Sequence, residues 1–166
     1  MTLFGYAVTP IMIAGVGVVV TAVGGAQLTK RGAWYATLRK PSWEPPDWLF
    51  GPVWSTIFLL WAASFVLAWT ATTDPAEHLR LVGIYAANAG LNVFWSYLFF
   101  TRHRPDLALI ETVPFLASIA VILFAAAPLD ASAAWLTVPY LLWVAFAACL
   151  NAAIVRLNSA SRTFSA

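Results

Sequence analysis

The sequence has little charge. Only 10% of its 166 residues are Asp, Glu, Lys or Arg, while 61% are hydrophobic; a soluble domain carries about 25% charged residues. The mean hydropathy of +0.79 is correspondingly high. This composition argues against intrinsic disorder and against a free-standing soluble enzyme, because there are too few polar side chains to cover a water-exposed surface. Most of the surface must therefore face lipid.

Cysteine and histidine are also scarce. The single cysteine, Cys149, excludes a disulfide framework. His78 and His103 stand alone, without partners at ligand spacing, so the sequence predicts no metal site and no resident cofactor. It contains no phosphate-binding glycine loop or nucleophile elbow, so no catalytic residue is predicted. The basic residues are too few for a nucleic-acid partner.

Long uncharged stretches separate the clusters of charge. Each is long enough for a helix to cross about 30 Å of hydrocarbon, whereas barrel strands would be about ten residues long with alternating polarity. The first stretch lacks the basic leader of a signal peptide and is predicted to be a retained helix. We therefore predict one domain, residues 1–166, that is an all-α integral membrane bundle of five transmembrane helices. The predicted spans are 6–28, 48–71, 81–101, 107–129 and 131–155.

The basic residues are predicted to lie almost entirely on one side of the membrane. With five crossings, only Arg80 falls on the side of the N-terminus. The positive-inside rule then predicts a multi-pass protein, in a bacterial cell membrane, with its N-terminus outside and its C-terminus inside. The residues predicted on the inner side are Lys30, Arg31, Arg39, Lys40, Arg102, Arg104, Arg156 and Arg162.

The third span presents two different faces. Gly83, Ala87 and Gly90 fall within about 60° of one another at 100° per residue, and small residues at this spacing let a neighbouring helix approach closely. This face is predicted to meet another helix, either inside the bundle or across a homodimer. Asn88 and Asn92 lie on the opposite side, which must point inward because an unpartnered amide is costly at membrane depth. They either link helices or, with Trp95, line a binding cavity.

The fifth and second spans carry aromatic residues away from the interfacial belt, where membrane tryptophans usually lie. In the fifth span, Ala147 leaves a notch between larger neighbours on one arc. In the second, Trp54 begins an aromatic stripe that is mostly core packing, so only this first member is predicted to contact a ligand. The arc of the fifth span comprises Tyr140, Trp143, Ala147, Leu150 and Asn151.

An acidic residue within a span and a long aromatic loop stand out in the rest of the sequence. Glu111 lies inside the fourth span, where it either reaches the interface or pairs with Arg102 or Arg156, or else relays protons. The loop 30–47 is rich in proline and aromatic residues, which predicts a stiff segment without secondary structure. Long aromatic loops over a helical bundle are usually lids, so we expect this loop to be one.

The run WYATLRKPSWEPPDWLFGPVW, residues 34–54, resembles the signature of the translocator protein family, also called tryptophan-rich sensory proteins or peripheral-type benzodiazepine receptors. GIYAANAGLNVFWSYLFF in the third span and VPYLLWVAFAACLN in the fifth extend the resemblance over essentially the whole chain. It implies a five-helix bundle, commonly dimeric, whose cavity binds porphyrins and synthetic isoquinoline or benzodiazepine ligands. The residues implied for the pocket are Tyr35, Pro45, Trp54, Asn92, Trp95, Trp143, Ala147 and Leu150; helical phase adds Asn88 and Tyr140.

Two positions depart from the family pattern. The family commonly has Gln where this chain has Asn88. Its animal members carry a cholesterol-recognition pattern with an aromatic residue, where this chain has Ala152 and Ala153; cholesterol affinity is therefore not predicted.

The resemblance implies a porphyrin-binding membrane receptor or regulator, and two alternatives stay open. One is a transporter of porphyrins or other hydrophobic ligands, although the chain shows no inverted repeat or broken-helix pair. The other is a light-dependent porphyrin-degrading enzyme, although the sequence offers no dedicated acid, base or metal for it.

Overall fold

The structure is a computed structural model that describes residues 2–3, 6–7, 9–29 and 32–159, with the backbone alone at the first four. Lys30, Arg31 and Arg162, which carry part of the predicted charge asymmetry, lie outside the described residues. The elements in chain order are β1 (Thr2–Leu3), β2 (Tyr6–Ala7), α1 (Pro10–Leu28), α2 (Ala33–Thr37), α3 (Asp47–Thr70), α4 (Pro75–Ser96), a π-helical turn (Tyr97–Thr101), α5 (Pro105–Ala126), α6 (Ala131–Trp135) and α7 (Val138–Asn158).

The first long helix begins later than predicted. Tyr6–Ala7 pairs with Thr2–Leu3 as a short antiparallel hairpin, so the predicted start of the span at residue 6 is wrong. Pro10 occupies the first turn of α1, where its missing N–H costs nothing. The Thr9 hydroxyl caps the same turn by accepting a hydrogen bond from the Met12 N–H at 3.3 Å. Together these two residues fix the start of the helix.

Four stretches of the described chain are long and apolar enough to cross a membrane: α1, α3, α5 and residues 131–158, which comprise α6 and α7. The remaining predicted span, the third at 81–101, falls on α4 and the π-helical turn. The described helix α4 is as long as α5 but less apolar, because it begins with PAEHLR and also carries Asn88 and Asn92, so it is not one of these four stretches. The chain is an integral multi-pass membrane protein, and a membrane crossing by α4 remains a prediction.

The predicted span 131–155 is interrupted. α6 ends at Trp135, and α7 begins at Val138 after a turn at Leu136 and Thr137. Pro139 explains the break, because its ring would clash with the carbonyl of residue 135 in a continuous helix and it has no N–H to donate. The Thr137 hydroxyl instead donates to the Ala134 carbonyl at 2.7 Å and closes the turn.

The helices pack as a bundle in which α1 contacts α3 and α4, and α5 lies between α4 and α7. The half remote from α2 is filled by side chains. Trp61 lies close enough to Gly17 that a Cβ added there would be 2.9 Å from the indole ring. Ser64 donates to the Ala133 carbonyl at 2.7 Å and shares a 2.7 Å hydrogen bond with the Tyr85 hydroxyl. This end of the bundle is therefore closed.

The small-residue face of α4 points away from the bundle. Gly83, Ala87 and Gly90 are exposed, and a Cβ added at either glycine would meet no atom within 4 Å. Of the two alternatives, contact inside the bundle is wrong, because the inward side of α4 is instead occupied by its asparagines. The homodimer contact remains a prediction.

Candidate ligand-binding cavity

A cavity of about 290 Å³ lies in the half of the bundle beneath α2. This volume is at the lower end of the range for small-molecule sites, roughly 300–1,000 Å³. All five long helices contribute to its wall, and most of the lining is apolar. The aromatic lining residues are Tyr35, Phe50, Trp54, Phe58, Trp95, Phe99, Phe100, Phe115 and Trp143.

Seven of the ten residues predicted to contact a ligand line this cavity, and the structure brings them together from α2, α3, α4 and α7. They are Tyr35, Trp54, Asn92, Trp95, Trp143, Ala147 and Leu150. The other three, Pro45, Asn88 and Tyr140, do not line it. Pro45 is half-buried in the loop just before α3.

Asn88 links three helices. Its Oδ1 accepts from the Trp61 indole N–H on α3 at 3.1 Å, and its Nδ2 donates to the Ser118 hydroxyl on α5 at 2.8 Å. The side chain is only 1% exposed. Of the two alternatives for the asparagines, Asn88 therefore links helices. It lies one turn deeper in the bundle than Asn92.

Asn92 lies at the cavity wall and is held by α7. Its Nδ2 donates to the Tyr140 hydroxyl at 3.1 Å. Tyr140 itself is buried behind the wall, with edge-to-face contacts to Trp54 and Phe115. Tyr140 therefore supports two residues that line the cavity, Trp54 and Phe115, and orients a third, Asn92.

Trp95 and Trp143 differ in how they are held. The Trp95 indole N–H donates to the Thr112 hydroxyl at 3.0 Å, and its ring stacks on Phe99 at 5.0 Å. The Trp143 indole N–H is buried with no hydrogen-bond partner among the described residues. Its ring contacts Phe50 and Phe146 and packs against the core.

The lid loop contains a short helix. The prediction of no secondary structure is wrong for α2, because the three prolines follow it in the loop. Tyr35 on α2 is buried; its hydroxyl donates to Glu44 Oε1 at 2.7 Å, and Lys40 Nζ lies 3.6 Å from its ring centre. Lys40 and Glu44 also form an ion pair at 3.4 Å. Both residues come from the second half of the loop and hold Tyr35 over the cavity.

A second contact ties the lid to the end of α7. The backbone N–H of Arg39 donates to Asn158 Oδ1 at 3.0 Å, and Asn158 Nδ2 donates back to the Arg39 carbonyl at 2.9 Å. We call this pair the lid latch. It places the lid and the end of α7 at one end of the bundle. No sequence pattern indicates it, because the two residues are 119 positions apart.

The cavity also uses residues that were not predicted to contact a ligand. Thr21, Gly25 and Thr29 bring one face of α1 to the wall. The sequence does show a signal, a stripe of Gly17, Thr21 and Gly25, but small residues at helical spacing more often mark helix packing than a ligand site. Gly17 does pack, against Trp61, whereas Thr21 and Gly25 line the cavity.

Glu111 is buried rather than interfacial. It is 6% exposed, and neither carboxyl oxygen has a hydrogen-bond partner among the described residues. Both Arg102 and Arg156 are exposed, so the predicted pairing and the predicted reach to the interface are wrong. The reason is helical phase: Glu111 shares the inward face of α5 with the buried residues Ala108 and Phe115.

Comparison with known proteins identifies the family. The family model described as the TspO/MBR family matches residues 8–157. The chain is 40% identical over 143 residues to tryptophan-rich protein TspO of Chlorobaculum tepidum, covering 82% of this chain and 89% of that protein. It is 37% identical over 133 residues to the translocator protein of Sus scrofa, with 78% and 77% covered.

A third relative carries the sensory name. The tryptophan-rich sensory protein of Cereibacter sphaeroides is 34% identical over 131 residues, covering 79% of this chain and 80% of that protein. The match to the family model spans both the lid loop and all five long helices that enclose the cavity. The chain thus belongs to the TspO/MBR family of membrane proteins.

Proposed function

We propose that this protein is a membrane receptor or regulator that binds a porphyrin in the cavity beneath the lid. The main support is the aromatic lining of the cavity, in a chain whose other surfaces mostly face lipid. Trp54, Trp95 and Trp143 lie on three different helices around it. A flat macrocycle can gain stacking or edge contacts with each of them. Its propionates would point to the lid end, where Arg39 and Lys40 lie.

We also propose that α4 crosses the membrane, which brings the number of crossings to five. Residues 75–101 extend about 40 Å at 1.5 Å per residue, which exceeds the hydrocarbon thickness of about 30 Å. Glu77 and Arg80 are paired at 2.6 Å at its first end, where they can remain in the headgroup region. Five crossings then place the described basic residues of the lid end inside and Arg80 outside.

Fluorescence quenching tests the porphyrin proposal. Protoporphyrin added to the purified protein in the dark should quench tryptophan emission saturably, with no loss of porphyrin absorbance over time. Saturable uptake into proteoliposomes would indicate a transporter instead, and new absorption bands that require light and protein would indicate the enzyme. Absence of saturable quenching would contradict the proposal.

The lid latch predicts how tightly the ligand is retained. Asn158→Ala removes both hydrogen bonds to Arg39, each contributing about 0.5–1.5 kcal/mol. We expect the porphyrin dissociation rate to rise about tenfold, because the lid opens more often, and the association rate to rise with it, because the ligand enters through the same lid. Stopped-flow fluorescence measures both rates. Ser159→Ala is the matched control, since its exposed hydroxyl donates to the Arg156 carbonyl of α7 and to no lid residue that the structure describes; equal dissociation rates for the two variants would contradict the latch.

We propose that the protein is a homodimer through Gly83, Ala87 and Gly90. This face is exposed and small enough for close helix contact. Gly90→Leu should separate the backbones and shift the protein to monomer in detergent and in bilayers, as measured by light scattering and by energy transfer between labelled chains. Ala63→Leu makes a similar enlargement at an exposed position of α3 and should leave the dimer intact. An unchanged dimer fraction for Gly90→Leu would exclude this face.

A further inference from the structure

A groove runs along the outer surface of the bundle between α3 and α7. It is lined by one face of α3, from Pro52 to Ile57, and by one face of α7, from Pro139 to Phe146. Its volume is about 470 Å³, and Leu142 within it is 65% exposed. Because both helices are long and apolar enough to cross a membrane, the groove opens toward hydrocarbon rather than toward water.

The described side chains that line this groove offer it no free hydrogen-bond donor. Apart from Thr56 and Trp143, the lining residues have hydrocarbon side chains. The Thr56 hydroxyl donates to the Pro52 carbonyl of its own helix at 3.0 Å, and the Trp143 N–H is buried. The groove therefore suits a hydrocarbon group better than a polar one.

Two exposed tryptophans lie at the lid end of the groove. Trp48 is 70% exposed and lies one turn before Pro52 on the same face of α3. Trp43 is 48% exposed and packs edge-to-face on Phe146, with ring centres 5.8 Å apart. Exposed tryptophans at the ends of membrane helices usually lie at headgroup level, so the groove begins at the lid-side surface of the membrane.

The length of the groove matches the thickness of one leaflet. From Trp48 to Ile57 the rise along α3 is about 13 Å, and half of the hydrocarbon thickness is about 15 Å. A helix of another chain is about 10–12 Å wide and packs closely on small residues, whereas this groove is lined mostly by larger ones. A single acyl chain is slender and flexible enough to fill it, which supplies dispersion contacts that the lining would otherwise lack.

We propose that the groove binds one acyl chain of a phospholipid from the lid-side leaflet, and that this chain supports the wall of the cavity. Trp143 makes the connection, because it lines both the groove and the cavity. Its ring contacts Phe50, another residue of the cavity wall, with ring centres 5.7 Å apart. A chain in the groove prevents the indole from moving outward, away from a bound ligand. The lipid site is independent of the proposed function, whereas its effect on the cavity rests on porphyrin binding there.

Native mass spectrometry of the detergent-purified protein tests the lipid site. Wild-type protein should retain one added dioleoyl phosphatidylcholine per chain, and dioleoyl phosphatidylglycerol equally well, because the chain and not the headgroup is bound. Leu142→Trp fills the groove and should reduce the retained fraction about tenfold. Leu59→Trp is the matched control, since it makes the same substitution at a 69% exposed position of α3 that does not line the groove; it should retain lipid as the wild type does. If Leu142→Trp does not fold, Thr56→Trp fills the groove from α3 and takes its place.

Three results would overturn the lipid site. The first is equal retention of phosphatidylcholine by the wild type and the groove-filling variant, or no retention by either. The second is retention of phosphatidylglycerol alone, which would show that the arginines of the lid end hold a headgroup. The third is loss of lipid together with a change from dimer to monomer in Leu142→Trp, which would identify the groove as a contact between two chains.

The support of Trp143 has a separate test. Adding dioleoyl phosphatidylcholine to the solubilised wild-type protein should lower the dissociation constant of protoporphyrin several-fold, whereas Leu142→Trp should show no such response. A constant that does not change in wild-type protein that retains the lipid would overturn the support of Trp143 and leave the lipid site in place. If protoporphyrin does not bind at all, the proposed function fails, and the retained lipid still decides whether the groove is a lipid site.

Discussion

Ala147→Phe should abolish porphyrin binding, and Trp143→Ala should weaken it several-fold or more. Ala147 lines the cavity beside Trp143, so a phenyl group at this position occupies the space of the ligand. Loss of the Trp143 ring removes a contact of about 0.5–1.5 kcal/mol beyond area burial, and each 1.4 kcal/mol is tenfold in the dissociation constant. Titration of protoporphyrin fluorescence in the dark measures both variants.

Two controls isolate the cavity from general damage to the fold. Ala145→Phe adds the same side chain two residues away, at an exposed position of α7, and Trp135→Ala removes an indole that is 72% exposed. Both should bind porphyrin as the wild type does. Normal binding by folded Ala147→Phe and folded Trp143→Ala would show that the ligand does not enter this cavity.

Gly17→Leu should destabilise the protein by about 1–3 kcal/mol, the usual range for an overpacked core. The Cβ alone would lie 2.9 Å and 3.1 Å from two ring atoms of Trp61. Trp61 cannot easily move aside, because its N–H is bonded to Asn88 and its ring packs on Tyr85 at 5.1 Å. α1 must therefore shift outward. Reversible unfolding in mixed detergent micelles, followed by circular dichroism, measures the change.

Gly15→Leu is the control for this helix. Gly15 is exposed, and a Cβ there meets no atom within 4 Å. The two variants share composition and helix, so equal unfolding free energies would show that the contact between Gly17 and Trp61 does not limit the packing of α1.

The spacing of charged residues predicted the long helices well, because a charged side chain is costly in the hydrocarbon and is therefore rare within a span. Among the described elements, α3 begins one residue before its prediction and α5 two residues before. Trp54 and Trp143, both predicted to contact a ligand, line one cavity. The predicted starts at residues 6 and 81 and the unbroken span 131–155 differ from the structure. A hairpin and a proline break leave the hydropathy almost unchanged, and the charged residues before 81 extend α4 beyond its apolar part.

The asparagines show the limit of phase. Asn88 and Asn92 are one turn apart on one face of α4, so helical phase predicts ligand contact equally for both. What separates them is depth: Asn88 meets Trp61 and Ser118 in the closed half of the bundle, and Asn92 lies beside the open half. Depth depends on which helices meet and where, and the sequence of a single helix cannot reveal it.

The number of residues in the π-helical turn Tyr97–Thr101 determines where His103 lies relative to the lid. The Arg102 N–H donates to the Tyr97 carbonyl at 2.9 Å, five residues back, so the turn holds one residue more than an α-helical turn. His103 follows with φ 53° and stacks on Trp34 of the lid at 4.2 Å. Deleting one residue from the turn would let the α-helix continue and rotate every later position by about 100°. His103 would then no longer stack on Trp34. The contact between the lid and this turn is therefore more sensitive to a deletion than to a substitution within the turn.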